Sequence, residues 1–186
     1  MERTRKALNI SSFDSTFGNF RPVAGTEKSL AAFQELVNES TRKMLLCIGS
    51  KGCGKTHLCE ALSLSWWELG FKVRIYVWSD FIGLLKSTFS GEMQGQFDVI
   101  LTRFKKAPRL ILDDVGMGGA TDKSWEWGVL EEIINYRYRE RLITVVTTNL
   151  DITELPDRVV SRFRDEQYGR VVLNKADDYR PRRSKG

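Results

Sequence analysis

A glycine-rich stretch, Gly49-Ser50-Lys51-Gly52-Cys53-Gly54-Lys55-Thr56, lies between the apolar run Met44-Leu45-Leu46-Cys47-Ile48 and a segment that reads as a helix to about Leu69. It fits G-x-x-x-x-G-K-[ST] without deviation, a pattern that composition alone produces in roughly one window per 10⁴–10⁵. Glycines let successive backbone N–H groups curl around an anion, and the following helix aims the positive end of its dipole at the same point. The order strand, loop, helix therefore constrains the chain to a phosphate-binding α/β domain. Lys55 would reach the β- and γ-phosphates of a nucleoside triphosphate such as ATP, and the Thr56 hydroxyl would ligate Mg²⁺.

Around that unit the 186 residues read as one domain, 26–176, between a lead-in, 1–25, and a basic tail, 177–186. Three phenylalanines in the lead-in, Phe13, Phe17 and Phe20, are too apolar for a free linker and are expected to pack on the domain. Thr26 opens a helix through Val37, and Gly70 closes the helix that follows the loop. Further strands read over Val73–Trp78, Leu110–Leu112, Ile143–Thr147 and Val171–Leu173. Helices read over Phe81–Phe89 and Phe97–Lys106, split by Ser90-Gly91, then Trp125 to about Arg139 and Leu155–Arg164. Strands alternating with helices predict a five-stranded parallel sheet covered on both faces.

The formal charge of +5 is uneven: Arg3, Arg5 and Lys6 stand at one end, Arg180, Arg182, Arg183 and Lys185 at the other. Such ends are solvated tails or nucleic-acid contacts, and charge alone does not choose between them. The longest apolar run, around Arg109–Asp113, is far too short for a bilayer, and no signal-peptide core follows the N-terminus. The expectation is a cytoplasmic protein. Three cysteines and a single histidine are too few for zinc chemistry or a disulfide scaffold, so the thiols read as reduced.

Two carboxylates, Asp113 and Asp114, end the apolar run Leu110-Ile111-Leu112. In a parallel sheet that end opens onto the ligand crevice. Asp113 would hold Mg²⁺ through its water shell, and Asp114 would orient or deprotonate an attacking water. The fourth strand ends in Thr147-Thr148-Asn149, where the Asn149 amide reads either as a contact to the γ-phosphate or the lytic water, or as a generic turn. Arg158, Arg162 and Arg164 on the next short helix fit a solvated face equally well.

Phosphate loop, Asp-Asp-x-Gly, Thr-Thr-Asn-Leu and Leu-x-x-Arg-x-x-Ser-Arg, in this order and spacing, resemble the AAA+ domain of the DnaC/DnaI-type replicative helicase loaders. That branch also holds the DnaA initiators and the IstB-type transposition ATPases. Thr16-Phe17-x-x-Phe20, Gly54-Lys55-Thr56-His57-Leu58, Ile133-Ile134-Asn135-Tyr136-Arg137-Tyr138 and Asp178-Tyr179-Arg180 carry the likeness over nearly the whole chain from Phe13.

The resemblance implies a P-loop NTPase fold and places Asp113 and Asp114 as the Walker B pair, with Asp114 where many relatives carry glutamate. It places Asn149 at sensor 1 and Arg162 as an arginine finger reaching the ATP of a neighbouring subunit. His57 follows the loop as in relatives, where it joins the nucleotide-binding stretch Gly49–Thr56; read on its own it packs on its helix. The two helices before the third strand resemble the initiator-specific insertion, which makes Lys86, Ser87 and Thr88 candidates to touch single-stranded DNA. Implied partners are a hexameric replicative helicase, single-stranded DNA and further copies of the chain, in a bacterial or phage-infected cell. Two departures stand out: only a short lead-in precedes the domain, and no helical lid is evident, so Arg180 is the candidate for the sensor 2 arginine. The rival readings are an IstB-like helper acting on duplex DNA with a transposase, and a module that uses ATP only as a structural ligand.

Overall fold

The computed structural model describes residues 14–38, 43–116 and 123–179. Its strands are β1 Met44–Gly49, β2 Val73–Val77, β3 Arg109–Asp113, β4 Ile143–Thr148 and β5 Gly169–Asn174. Its helices are α1 Glu27–Val37, α2 Lys55–Glu68, α3 Trp78–Lys86, α4 Phe97–Lys105, α5 Ser124–Arg139 and α6 Asp157–Phe163. The strands form one sheet in the order β2-β3-β4-β1-β5, and every pairing is parallel, as the alternation of elements predicts.

Period-two alternation in the strands sorts the core onto the two faces. Met44, Leu46, Ile48, Leu110, Leu112 and Val146 face α3, α4, α5 and α6, against Trp78, Phe81, Phe104, Ile133 and Phe163. Leu45, Cys47, Ile111, Val145 and Val172 face α1 and α2, against Phe33, Leu58, Leu62 and Trp66. The apolar residues of α2 run most of the way round it because α1 covers the side the sheet does not. At its end Phe71 N–H donates to Trp66 O and Gly70 N–H to Trp67 O, each at 2.9 Å, the paired bonds of a glycine-terminated helix.

Most boundaries fall within two residues of the sequence reading. The strand read to Trp78 stops at Val77, because Trp78 opens α3 with its ring fully buried. The helix read from Leu155 begins at Asp157; before it, Ile152–Glu154 forms a 3-10 turn closed by a capping box from Asp151. The segment read as Phe81–Phe89 is α3 followed by 3-10 turns over Ser87–Phe89 and Gly91–Met93.

One buried charge ties the far end of the sheet together. Arg137 is fully buried, and its Nη1 donates to the carbonyls of Phe104, Lys105 and Ala107 at 3.1, 3.0 and 2.6 Å. Its Nη2 donates to Ile143 O at 2.6 Å and its Nε to Thr144 Oγ1 at 2.8 Å. The guanidinium thus caps α4 and joins it to α5 and the start of β4. Burial lowers its pKa to about 9.

No helix among the described residues is long and apolar enough to cross a membrane. Phe13 and the terminal basic residues Arg3, Arg5, Lys6, Arg180, Arg182, Arg183 and Lys185 lie outside the described residues.

Candidate functional site

Parallel register brings the C-terminal ends of the strands to one edge of the sheet. Ile48 pairs with Thr148, Gly49 with Asn174, and Val77 with Asp113. The loop leaves β1 at this edge and enters α2, with Gly54 as the N-cap. Gly54 has φ +92°, and a Cβ there would stand 2.9 Å from the Phe20 ring, so glycine is required by conformation and by space.

Lys55 is buried, 6% exposed, and its ammonium donates to Gly49 O at 2.8 Å and Ser50 O at 2.9 Å, with Cys53 Sγ at 3.8 Å. A cation is thereby held at the mouth of the loop, where the phosphates of a nucleotide would lie. Thr56 Oγ1 donates to Asp113 Oδ2 at 2.7 Å. The Asp113 carboxylate, 3% exposed, also accepts from Thr147 Oγ1 at 2.5 Å and from the Cys59 thiol at 3.5 Å. Burial first, and Asp113 next to it, push the Cys59 thiol well above its ordinary pKa; burial pushes Cys47 up to about 12. Both thiols are therefore neutral donors or apolar filling.

Beyond β3 the backbone turns through Asp114, whose φ of +57° is a left-handed conformation that aspartate tolerates better than most residues. That turn aims Asp114 N–H at Thr147 Oγ1, 3.0 Å away, and Val115 N–H at Thr147 O, 2.8 Å away. Thr147 thus fixes Asp113 through its hydroxyl proton and Asp114 through its oxygen. In the sequence Thr147 stands out only as part of Thr-Thr-Asn; its role depends on the register of β4 beside β3. Asn149 follows on the same strand end, and its Oδ1 is buried without a hydrogen-bond partner among the described residues. An acceptor left so is a costly feature unless a ligand or water reaches it.

His57 points away from this cluster. Its Nε2 donates to Thr16 O at 2.8 Å and its ring meets the edge of Phe20 at 5.2 Å, so it fastens the lead-in to α2. Phe17 and Phe20 pack on the α1/α2 face. Arg162 is likewise not brought to the loop of its own chain. Its Nε donates to Asn135 Oδ1 at 3.1 Å and its guanidinium lies 4.8 Å from the Tyr138 ring centre, both on α5.

Lys86 ends α3, and Ser87 and Thr88 follow it in a 3-10 turn. Lys86 is exposed but paired with the buried Glu126 at 3.1 Å. Ser87 is exposed, and Thr88 lies beneath the surface with its hydroxyl on Leu85 O at 2.6 Å. Beside them Phe89, 56% exposed, stacks on Phe97 at 5.8 Å and meets Trp125 at 5.6 Å.

The donor set fits a Mg-nucleotide. A hydroxyl and a carboxylate 2.7 Å apart are hard oxygen ligands, and the glycine loop beside them supplies N–H donors and a lysine for phosphate. Among the described residues no group of three or more His, Cys, Asp or Glu is placed to hold a metal by itself. An ion here would be shared with phosphate oxygens and water.

Strand, cradle and carboxylate pair on a parallel sheet of this order define a P-loop nucleotide-binding domain of the AAA+ class. The chain belongs to the family described as IstB-like ATP binding protein, whose pattern matches residues 9–175. The replicative helicase loader DnaC of Buchnera aphidicola subsp. Baizongia pistaciae (strain Bp) is 27% identical to it over 146 residues, 75% of this chain and 58% of that protein. The chain therefore spans little more than half the length of this relative.

Among solved structures, the DnaC helicase loader superposes with a TM-score of 0.72 at 23% identity, covering 88% of this chain and 98% of that one. The replication initiator DnaA bound to AMPPCP and single-stranded DNA superposes with 0.75 at 23% identity, covering 89% and 51%. At these identities the likeness is one of fold.

Proposed function

We propose that the chain is an ATPase that loads or remodels a replicative DNA helicase on single-stranded DNA, its grip set by nucleotide state. The observation that carries the ATPase reading is the meeting of Thr56, Asp113 and Thr147 beside a loop whose Lys55 is already turned inward. The loader reading is supported by the likeness to DnaC.

In this account Lys55 moves its hydrogen bonds from Gly49 O and Ser50 O to the β- and γ-phosphate oxygens. Thr56 and Asp113 would hold Mg²⁺, which when bound would supply neutralisation of phosphate charge. Asp114, kept in its turn by Thr147, orients the attacking water and accepts its proton. The Asn149 amide, its Oδ1 buried, lies on the same strand end to position that water or the γ-phosphate. Arg162, carried on α6 and steadied by Asn135 and Tyr138, completes the site of a second copy of the chain. In-line transfer to water asks little more of a protein than such positioning and charge.

For single-stranded DNA the contact surface is the end of α3. Lys86 and Ser87 are exposed there with Phe89 beside them, and Thr88 shapes the turn; an ammonium and an open aromatic face suit phosphate and base respectively. A second reading is favoured by the family match itself: an IstB-like helper would take duplex DNA and a transposase. Capture of a purified replicative helicase and of a transposase on the immobilised chain, with ATP and without, separates the two. Retention of the helicase alone, altered by ATP, is the expected outcome; retention of the transposase alone would transfer the chain to the second reading.

A further inference from the structure

The segment that leaves β5 turns back over the phosphate loop. Asn174, the last residue of β5, is buried, and its Nδ2 donates to Cys53 O at 3.1 Å while its Oδ1 accepts from Ala176 N–H at 3.1 Å. Ser50 Oγ donates to Ala176 O at 2.9 Å, and Tyr179 N–H donates to Gly52 O at 3.1 Å. Asp178 lies so close to Gly52 that a Cβ there would overlap its carboxylate, 1.7 Å from Oδ1. Lys175 N–H donates to Gly25 O at 3.1 Å, which anchors the start of the segment to the turn before α1. None of these contacts belongs to the nucleotide chemistry described above, yet three of the hydrogen bonds end on the loop.

Peptide geometry gives them a consequence. In a planar trans peptide the C=O of one residue and the N–H of the next point in opposite directions. Holding Gly52 O and Cys53 O on the segment therefore aims the N–H groups of Cys53 and Gly54 away from it. Lys55 holds the carbonyls of Gly49 and Ser50. Four of the loop's carbonyls are thus divided between the lysine and the segment, and that division directs the N–H groups of the peptides they belong to.

We propose that Asn174 and the Tyr179 N–H are positioning groups for the nucleotide, together forming a brace that orients the N–H cradle of the phosphate loop toward the phosphates. The proposal rests on the reading of that loop as the ATP site. Because the brace acts on groups that meet the phosphates ATP and ADP share, its loss weakens both nucleotides and leaves turnover at saturation almost unchanged. A purely structural role would instead lower the melting temperature and leave the affinity of the folded protein intact.

The test uses the full chain and three variants. Tyr179→Pro removes the N–H that reaches Gly52, Tyr179→Ala keeps it, and Asn174→Ala removes the bond to Cys53. Fluorescent-nucleotide titration gives the Kd for ATP and ADP below each variant's melting temperature, and phosphate release gives KM and kcat. Loss of one hydrogen bond of this kind corresponds to roughly a 3- to 10-fold rise in both Kd values for Tyr179→Pro and for Asn174→Ala. Tyr179→Ala should lose clearly less, and kcat at saturation should stay within about two-fold of the parent. Unchanged affinities in folded Tyr179→Pro would overturn the brace, as would equal losses in Tyr179→Ala and Tyr179→Pro, which would assign the effect to the ring. If Asn174→Ala does not fold, the Tyr179 pair decides alone. A parent chain that bound neither nucleotide would overturn the ATP reading and the brace with it, whereas a binding parent with indifferent variants overturns the brace only.

Discussion

Thr56 and Asp113, 57 residues apart in the chain, meet at 2.7 Å, hydroxyl to carboxylate, at the floor of the phosphate loop. One residue stands in the first turn of α2 and the other ends β3, so the contact exists only if loop, helix and sheet are all in place. Thr147, from a third element, takes the other carboxylate oxygen.

That third contact makes Thr147→Val informative. Valine keeps the shape but removes the bond to Asp113 and the acceptor for Asp114 N–H. Urea unfolding should show a loss of about 1–3 kcal/mol. Phosphate release should fall by roughly ten-fold at saturating ATP, since Asp114 loses the group that fixes its turn. A variant with parental turnover would remove Thr147 from the account of the site.

Arg137 gives a prediction on stability alone. Arg137→Met fills the space but takes the guanidinium from the carbonyls of Lys105, Ala107 and Ile143, while Phe104 O keeps the Ala107 N–H. Relief of the buried charge offsets part of that cost, yet the three acceptors that lose their side-chain donor outweigh it. A fall in Tm on the order of 10 °C by calorimetry is expected. An equal or higher Tm would mean that the desolvation of the guanidinium dominates.

These two residues also mark where the sequence stopped being legible. The loop, the carboxylates of Asp113 and Asp114, and the parallel sheet were readable because each is written locally: glycine spacing, an apolar run ending in charge, strands alternating with helices. Thr147 acquires its role only from the placement of β4 against β3, and Arg137 from carbonyls that α4 and β4 bring from afar. By its neighbours in sequence His57 packs on its own helix or joins the nucleotide stretch; in the fold it ties down Thr16 in the lead-in, a partner 41 residues away. The fold of Lys175–Tyr179 onto the loop has no periodic signature at all.

For Arg162 the expectation is a contact between copies. Arg162→Ala should bind ATP like the parent yet lose turnover, since such a cation contributes on the order of 10³–10⁵ in rate in well-studied systems. Mixed with Lys55→Ala, which supplies the half-site the first variant lacks, it should recover part of the phosphate release. A mixture no more active than either variant alone would leave Arg162 as a surface residue steadied by Asn135 and Tyr138.

Binding of single-stranded DNA should depend on nucleotide and fall steeply with salt, because phosphate contacts release counterions. Anisotropy of a labelled oligonucleotide at two salt concentrations, with ADP and with a non-hydrolysable ATP analogue, measures both. Lys86→Ala should weaken binding and flatten the salt slope by about one unit. Equal affinity in the two nucleotide states would dismiss the switch.

On the proposed reading the Gly49–Thr56 loop binds ATP and Asp114 governs its hydrolysis. Equilibrium binding of ATP and release of phosphate, measured side by side on the parent, Lys55→Ala and Asp114→Asn, test it most directly. Lys55→Ala should lose tight binding, and Asp114→Asn should bind like the parent but release no phosphate. Parental ATP affinity in Lys55→Ala, or parental turnover in Asp114→Asn, would contradict it.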